Sequence, residues 1–205
     1  MSEYITEIQN HLKGRGLYAG EIDGLIGPVT AKAIVTALKG ASPEVQNYRV
    51  SKNFFLSELL RSDTAIRKNI SNIPEPQHLI NLVRAVQQLW QPIRDELGVP
   101  MLISSGYRGE ALNDIIGGSD SSAHSIGSAI DFTAPAAGSS RVIAVKILRF
   151  LRTKKIPFDQ VILEFPDSPS SWVHVGHKNR TNEQRGQSLV ALKVNGRTEY
   201  KSGII

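Results

Sequence analysis

The 205 residues include five histidines and no cysteine, so any metal centre here must be built from imidazole and carboxylate. Three of these groups fall into a suggestive pattern. His124 lies in the run Ser122-Ala123-His124-Ser125-Ile126-Gly127, Asp131 follows seven residues later in a short strand-like segment, and His174 sits between valines in Trp172-Val173-His174-Val175. Two imidazoles and one carboxylate on stiff elements are the ligand set of a hydrolytic zinc site, whose fourth position stays open to water. Zinc in such a site lowers the pKa of water to about 7 and polarises the carbonyl under attack.

Strand parity narrows the choice of ligands and of a general base. Side chains alternate across a strand, so Trp172, His174 and Gly176 share one face while Val173, Val175 and His177 share the other. His174 is therefore the expected ligand, with Trp172 beside it as a candidate substrate contact and His177 at the rim. Glu164 closes the run Gln160-Val161-Ile162-Leu163-Glu164. In a hairpin with 172–177, an even-sum register puts it on the same face as His174, where a carboxylate can relay a proton from water to a leaving amine. The bland alternative is a solvated strand end, and Asp167 in the following turn is the next candidate. Arg108, in Ser105-Gly106-Tyr107-Arg108, is either an exposed arginine at a strand end or a fixed cation for an oxyanion or a substrate carboxylate. Ser122 is a candidate for orienting substrate or His124. His11 and His78 lie in helical stretches with no partner at ligand spacing, which favours surface positions.

The elements that must hold these groups are legible from periodicity. A long apolar stripe, Leu79, Leu82, Val83, Val86, Leu89, Trp90, Ile93 and Leu97, predicts a helix that Pro92 should bend or divide. Met101–Ser104 reads as a strand and 109–127 as loop. A short strand is expected from Ser128 to Thr133, and a helix capped by Ser139-Ser140 should carry Val142, Ile143, Ile147, Leu148 and Leu151. Asp159–Phe165 and Trp172–His177 then close a small, largely antiparallel sheet with flanking helices, an α+β fold. Before this unit, residues 4–39 read as a compact helical module built on Ile5, Ile8 and Leu12, then on Ala31, Ile34, Val35 and Leu38 behind Pro28. The expected division is a module over 1–40, a linker over 41–53 and a second domain over 54–205.

Composition sets the outer limits. An apolar fraction of 40% and a charged fraction of 21% are those of a folded, soluble chain. No apolar run is long enough for an integral membrane segment, and the start, Met1-Ser2-Glu3-Tyr4, has neither the basic residues nor the apolar run of a secretory signal. The net charge of +5 favours anionic partners or simply solubility. Basic residues are scattered and no nucleic-acid motif occurs, so nucleic acid is not an expected partner. A monomer is the default.

Residues 54 to about 178 resemble the zinc D-alanyl-D-alanine carboxypeptidase family, which includes dipeptidases and phage L-alanyl-D-glutamate endopeptidases and shares its fold with the hedgehog signalling domain. The matching pieces are Ser105-Gly106-Tyr107-Arg108, the segment from Ser122-x-His124 to Asp131, and Trp172-Val173-His174. The resemblance implies that His124, Asp131 and His174 bind Zn2+ and that Arg108 stabilises the tetrahedral intermediate. Many members place the catalytic acid three residues before the last histidine, where this chain has Ser171. The chain looks like the phage and prophage branch, in which a Leu-Glu-Phe strand precedes Trp-Val-His, and this moves the base to Glu164. The run from Asp23-Gly24 through Gly27 to Thr30 resembles the small three-helix peptidoglycan-binding module. Together these imply a modular endolysin, made in the host cytoplasm and released by a separate membrane-permeabilising protein, that cuts stem peptides or cross-links of peptidoglycan. Two alternatives stand beside it: a D,D-carboxypeptidase that trims terminal D-alanine, and a wall-binding protein without catalysis.

Overall fold

The computed structural model describes residues 1–40, 45 and 47–204. Two helices open the chain, α1 (Glu3–Gly14) and α2 (Pro28–Lys39), with Pro28 in the first turn of α2 where its missing N–H costs nothing. The loop between them is tied to α1 by Gln9, a fully buried amide. Its Nε2 lies 2.8 Å from Asp23 Oδ1, 3.1 Å from Thr30 Oγ1 and 3.2 Å from both Tyr18 Oη and the Leu25 carbonyl. Its Oε1 accepts from the Gly24 N–H at 2.9 Å. The Asp-Gly…Thr run is thus a structural knot whose centre, Gln9, its own pattern does not include. Gln9→Ala leaves the buried Thr30 hydroxyl and the Gly24 N–H short of partners. It should destabilise the protein by about 2–4 kcal/mol, read as a shift in urea midpoint at unchanged slope. Two helices are described within the N-terminal module.

The expected linker is not featureless at its end. β1 (Arg49–Ser51) pairs antiparallel with β2 (Phe54–Phe55) and packs against α1, while α2 rests on the long helix that follows. Two short helices come next, α3 (Leu56–Leu60) and α4 (Asp63–Lys68). α5 (Pro76–Ala85) then runs through a π-helical turn, Val86–Trp90, into α6 (Gln91–Leu97). The division expected at Pro92 takes this form because the ring crowds the carbonyl four residues earlier, and a widened turn relieves the clash without ending the helix. The π turn also delivers Trp90, fully buried, whose Nε1–H donates to the Val175 carbonyl at 3.3 Å.

A mixed sheet of six strands, in the order β3-β4-β6-β5-β7-β8, carries the rest. The strands are β3 (Leu102–Ser105), β4 (Ala129–Thr133), β5 (Gln160–Glu164), β6 (Trp172–Gly176), β7 (Gln187–Val194) and β8 (Arg197–Ser202). All neighbours are antiparallel except β5 and β7. α7 (Glu110–Ile115) and a 3-10 turn, Ala123–Ile126, interrupt the segment expected to be loop. α8 (Ser140–Lys154), capped by Ser139 Oγ accepting from the Val142 N–H, lies behind β5 and β6. Ile130, Phe132, Val161, Leu163, Val173 and Val175 face that helix layer and are completely buried. The intervening residues of the same strands face the opposite side, where the chemistry lies.

The strands β7 and β8 went unread in the sequence. Their signal is the turn Asn195-Gly196, both residues at positive φ, between the apolar run Leu189-Val190-Ala191-Leu192 and Arg197-Thr198-Glu199-Tyr200. Such a pair demands a tight hairpin, and the exposed, charged second strand hid it.

Candidate active site

The central strand β6 presents His174 to the open face of the sheet, flanked by Asp131 on β4 and Ile162 on β5, each directly opposite in register. His124 reaches the same point from the 3-10 turn. Asp131 Oδ1 lies 2.8 Å from His174 Nδ1 and 3.3 Å from His124 Nε2, and the two imidazole nitrogens are 3.2 Å apart. Three zinc ligands at bond lengths of 2.0–2.1 Å in a tetrahedron lie about 3.3 Å from one another. The triangle of donors therefore has the size of one face of a zinc tetrahedron, and these residues fit the ion.

Supporting contacts fix the donors in that arrangement. His124 Nδ1 is 2.7 Å from the Gly106 carbonyl, so the ring donates there and keeps the Nε2 lone pair for the cluster. Gly106 can take up this position only without a side chain, because a Cβ would collide with the Leu59 carbonyl on α3. Gly127, at φ +73°, turns the chain from the 3-10 turn towards β4, with the His78 carbonyl packed against it. Burial holds His124 neutral, the form that ligates a metal. Burial alone would raise Asp131, but the adjacent histidines outweigh it and hold the carboxyl far below the usual range.

Glu164 stands opposite Trp172 in the β5–β6 hairpin, so the even-sum register holds and its carboxylate shares a face with His174. Burial is the dominant influence on it and raises its pKa to about 7, although His174 and Arg108 pull the other way. Phe165, at φ +49°, swings the chain out of the strand directly after Glu164, and its ring meets Trp172 edge-on at 5.4 Å between centroids. Ser171 occupies the position where a catalytic acid was a family-based expectation; its hydroxyl donates to the Glu164 backbone carbonyl at 2.9 Å, bracing the turn that carries the glutamate. Asp167 is exposed in that turn and does not line the cleft.

Arg108, Ser122 and Trp172 complete the walls of a cleft of about 710 Å³ around these groups. A guanidinium nitrogen of Arg108 is 3.4 Å from Ser122 Oγ, and the buried Nε has no hydrogen-bond partner among the described residues. An unsatisfied buried donor beside a raised carboxyl is a place prepared for an oxygen atom. Tyr200 and Thr198 on β8 also line this cleft, and Tyr200 is in line across the sheet with Ala191, Glu164 and Trp172. Neither was foreseen, since their strand was not.

His177 departs from its expected place. It is not at the rim of the cleft but 3% exposed on the other side of β6, its ring held neutral by burial with a pKa lowered to about 4. His78, expected at the surface, is half-buried 3.4 Å from the Tyr107 hydroxyl. His11 packs edge-on against the Tyr48 ring, far from the cluster in the α1 helix.

A comparison with curated proteins finds no match. A family model described as Peptidase M15 matches residues 52–176, the span that contains His124, Asp131, Glu164 and His174. With that span covering most of the chain, and with the donor triangle and carboxylate placed as described, the chain belongs to the peptidase M15 family.

Proposed function

We propose that this chain is a zinc peptidase that hydrolyses peptide bonds of bacterial peptidoglycan, with His124, Asp131 and His174 as ligands, Glu164 as general base and acid, and Arg108 as oxyanion stabiliser. The observation that carries the reading is the spacing of the three donors, matched to a zinc tetrahedron, beside a carboxyl poised near pH 7. Zinc bound there supplies Lewis acidity to the scissile carbonyl and to the attacking water. Glu164 accepts the proton of that water and returns it to the leaving amine nitrogen, a relay that needs a pKa close to the working pH. The Arg108 guanidinium, with its free Nε, takes up the negative charge that develops on the carbonyl oxygen. Ser122 holds that guanidinium, and Trp172 gives the substrate an apolar wall next to Glu164.

The division of labour follows the expected boundaries: a wall-binding module over 1–40, a connecting stretch over 41–53 and the peptidase over 54–205. Ile22, Leu25 and Val29 support this role for the module, being exposed apolar side chains on one loop and the helix start after it. A wall-bound peptidase whose described helices include none able to cross a membrane fits an endolysin released by a separate permeabilising protein. Mass spectrometry of digested purified peptidoglycan tests the reading. Cleavage within stem peptides or cross-links should solubilise wall and create new amino termini inside the muropeptides. Loss of terminal D-alanine alone, with cross-links intact, would assign the trimming reaction instead. Wall binding without any new termini would leave only the binding function.

A further inference from the structure

On the far side of the 3-10 turn that carries His124 lies a second groove, of about 570 Å³, walled by α5 and by the segment after β6. Arg84, His78, His177, Lys178 and Arg180 line it, and among the described residues no carboxylate does. At the exposed edge the Glu110 carboxylate is 3.8 Å from an Arg180 nitrogen, and Glu75 and Glu110 both act on His78. Arg180 is held at the groove by a 2.7 Å hydrogen bond to Ser125 Oγ, and Lys178 by one of 2.9 Å to Asn182 Oδ1. His177, almost wholly buried, also lines the groove. Three cations on one concave surface, with no carboxylate among its described lining residues, give it a positive potential that attracts an anion.

The groove is joined to the cleft. Asn179 lines both. His177 follows His174 by three residues, which puts the groove floor within about 10 Å of the metal ligands along the chain. A substrate strand that runs past Asn179 leaves the cleft and meets the cations beyond the end of β6. Resting on the peptidase reading above, we propose that this groove binds a free carboxylate of the substrate peptide, some residues from the scissile bond, and selects acidic peptides over their amidated forms.

Two arms separate this proposal from the reading it rests on. Binding of soluble muropeptides, identical except that a peptide side carboxylate is free or amidated, is measured by calorimetry with the zinc-loaded Glu164→Gln protein. The free acid should bind about ten-fold tighter, and the preference should vanish when Arg84→Glu and Lys178→Glu are added. Arg84→Gln alone, a change at an exposed side chain, should reduce the preference even if the double variant does not fold. Turnover of the same pair by zinc-loaded wild type should show the same ranking in KM. Equal binding of the two peptides, no binding of either, or a preference that survives both sets of substitutions, overturns the groove assignment whatever the turnover. A binding preference without cleavage of either peptide supports the groove and instead removes the peptidase reading.

Discussion

Replacing Glu164 by glutamine should leave zinc binding intact, lower turnover by roughly 10²–10⁴-fold, and make the metal-free protein more stable. The first two effects follow from position: the carboxylate faces the cleft with His174 but is not one of the three converging donors. The third follows from linkage. Burial raises Glu164 to about 7, above its ordinary value, so the fold prefers the neutral carboxyl. The folded protein then holds a proton that the unfolded chain has released between about pH 4.5 and 7, and stability falls as pH rises through that window. Well above pH 7 the charged carboxylate costs about 3 kcal/mol, which glutamine avoids. Thermal melts of chelator-treated protein should show Glu164→Gln several degrees above wild type at pH 8 and nearly equal to it at pH 4.5. A variant less stable than wild type at pH 8 would mean that the carboxylate is satisfied by contacts made only in its charged form.

His174→Ala should have a still larger effect on the loaded protein. Losing a supporting partner of a metal ligand typically costs 10–100-fold in affinity, and losing a ligand itself costs more. Zinc at a thousand times its dissociation constant stabilises a folded protein by about 4 kcal/mol, which for a chain of this size raises Tm by roughly 8–16 °C. Wild type should show this rise on zinc addition, and His174→Ala should show none at the same concentration. The metal-free variant should also be weaker in acid. Burial disfavours the Asp131 charge, and His124 with His174 overrides that penalty, so the pair's contribution is present above the ordinary carboxylate range and is lost as pH falls below it. Removing His174 deletes part of that support, and acid unfolding should begin at higher pH. An undiminished zinc-induced rise in Tm would place the metal elsewhere.

The site was more legible in the sequence than the sheet that holds it. Alternation fixed which face of β6 carries His174, and one assumption about hairpin register put Glu164 beside it; both depend only on a period of two. The strong apolar runs of β4, β5 and β6 are buried strands and read as such. β8 did not, because residues 197–202 are exposed along their length and offer no apolar alternation, and without that partner the short apolar run of β7 had no hairpin to belong to. That omission also hid Tyr200, since a residue on an unread strand has no predicted neighbours. The groove around His177 was invisible for another reason. Its cations come from α5 and from the chain after β6, and only the packing of those distant segments gathers them. Gln9 shows the same limit, as its partners lie 9 to 21 residues away and nothing in its surroundings marks it as a hub.

The most direct measurement is a titration of chelator-stripped protein with zinc, following new amino groups released from purified peptidoglycan. Release should be absent from the stripped protein, rise in proportion to added metal and level off at one equivalent, with His174→Ala inactive throughout. Equal release by stripped and loaded protein, or none at any loading, would contradict the assignment of His124, Asp131 and His174 as the heart of a wall peptidase.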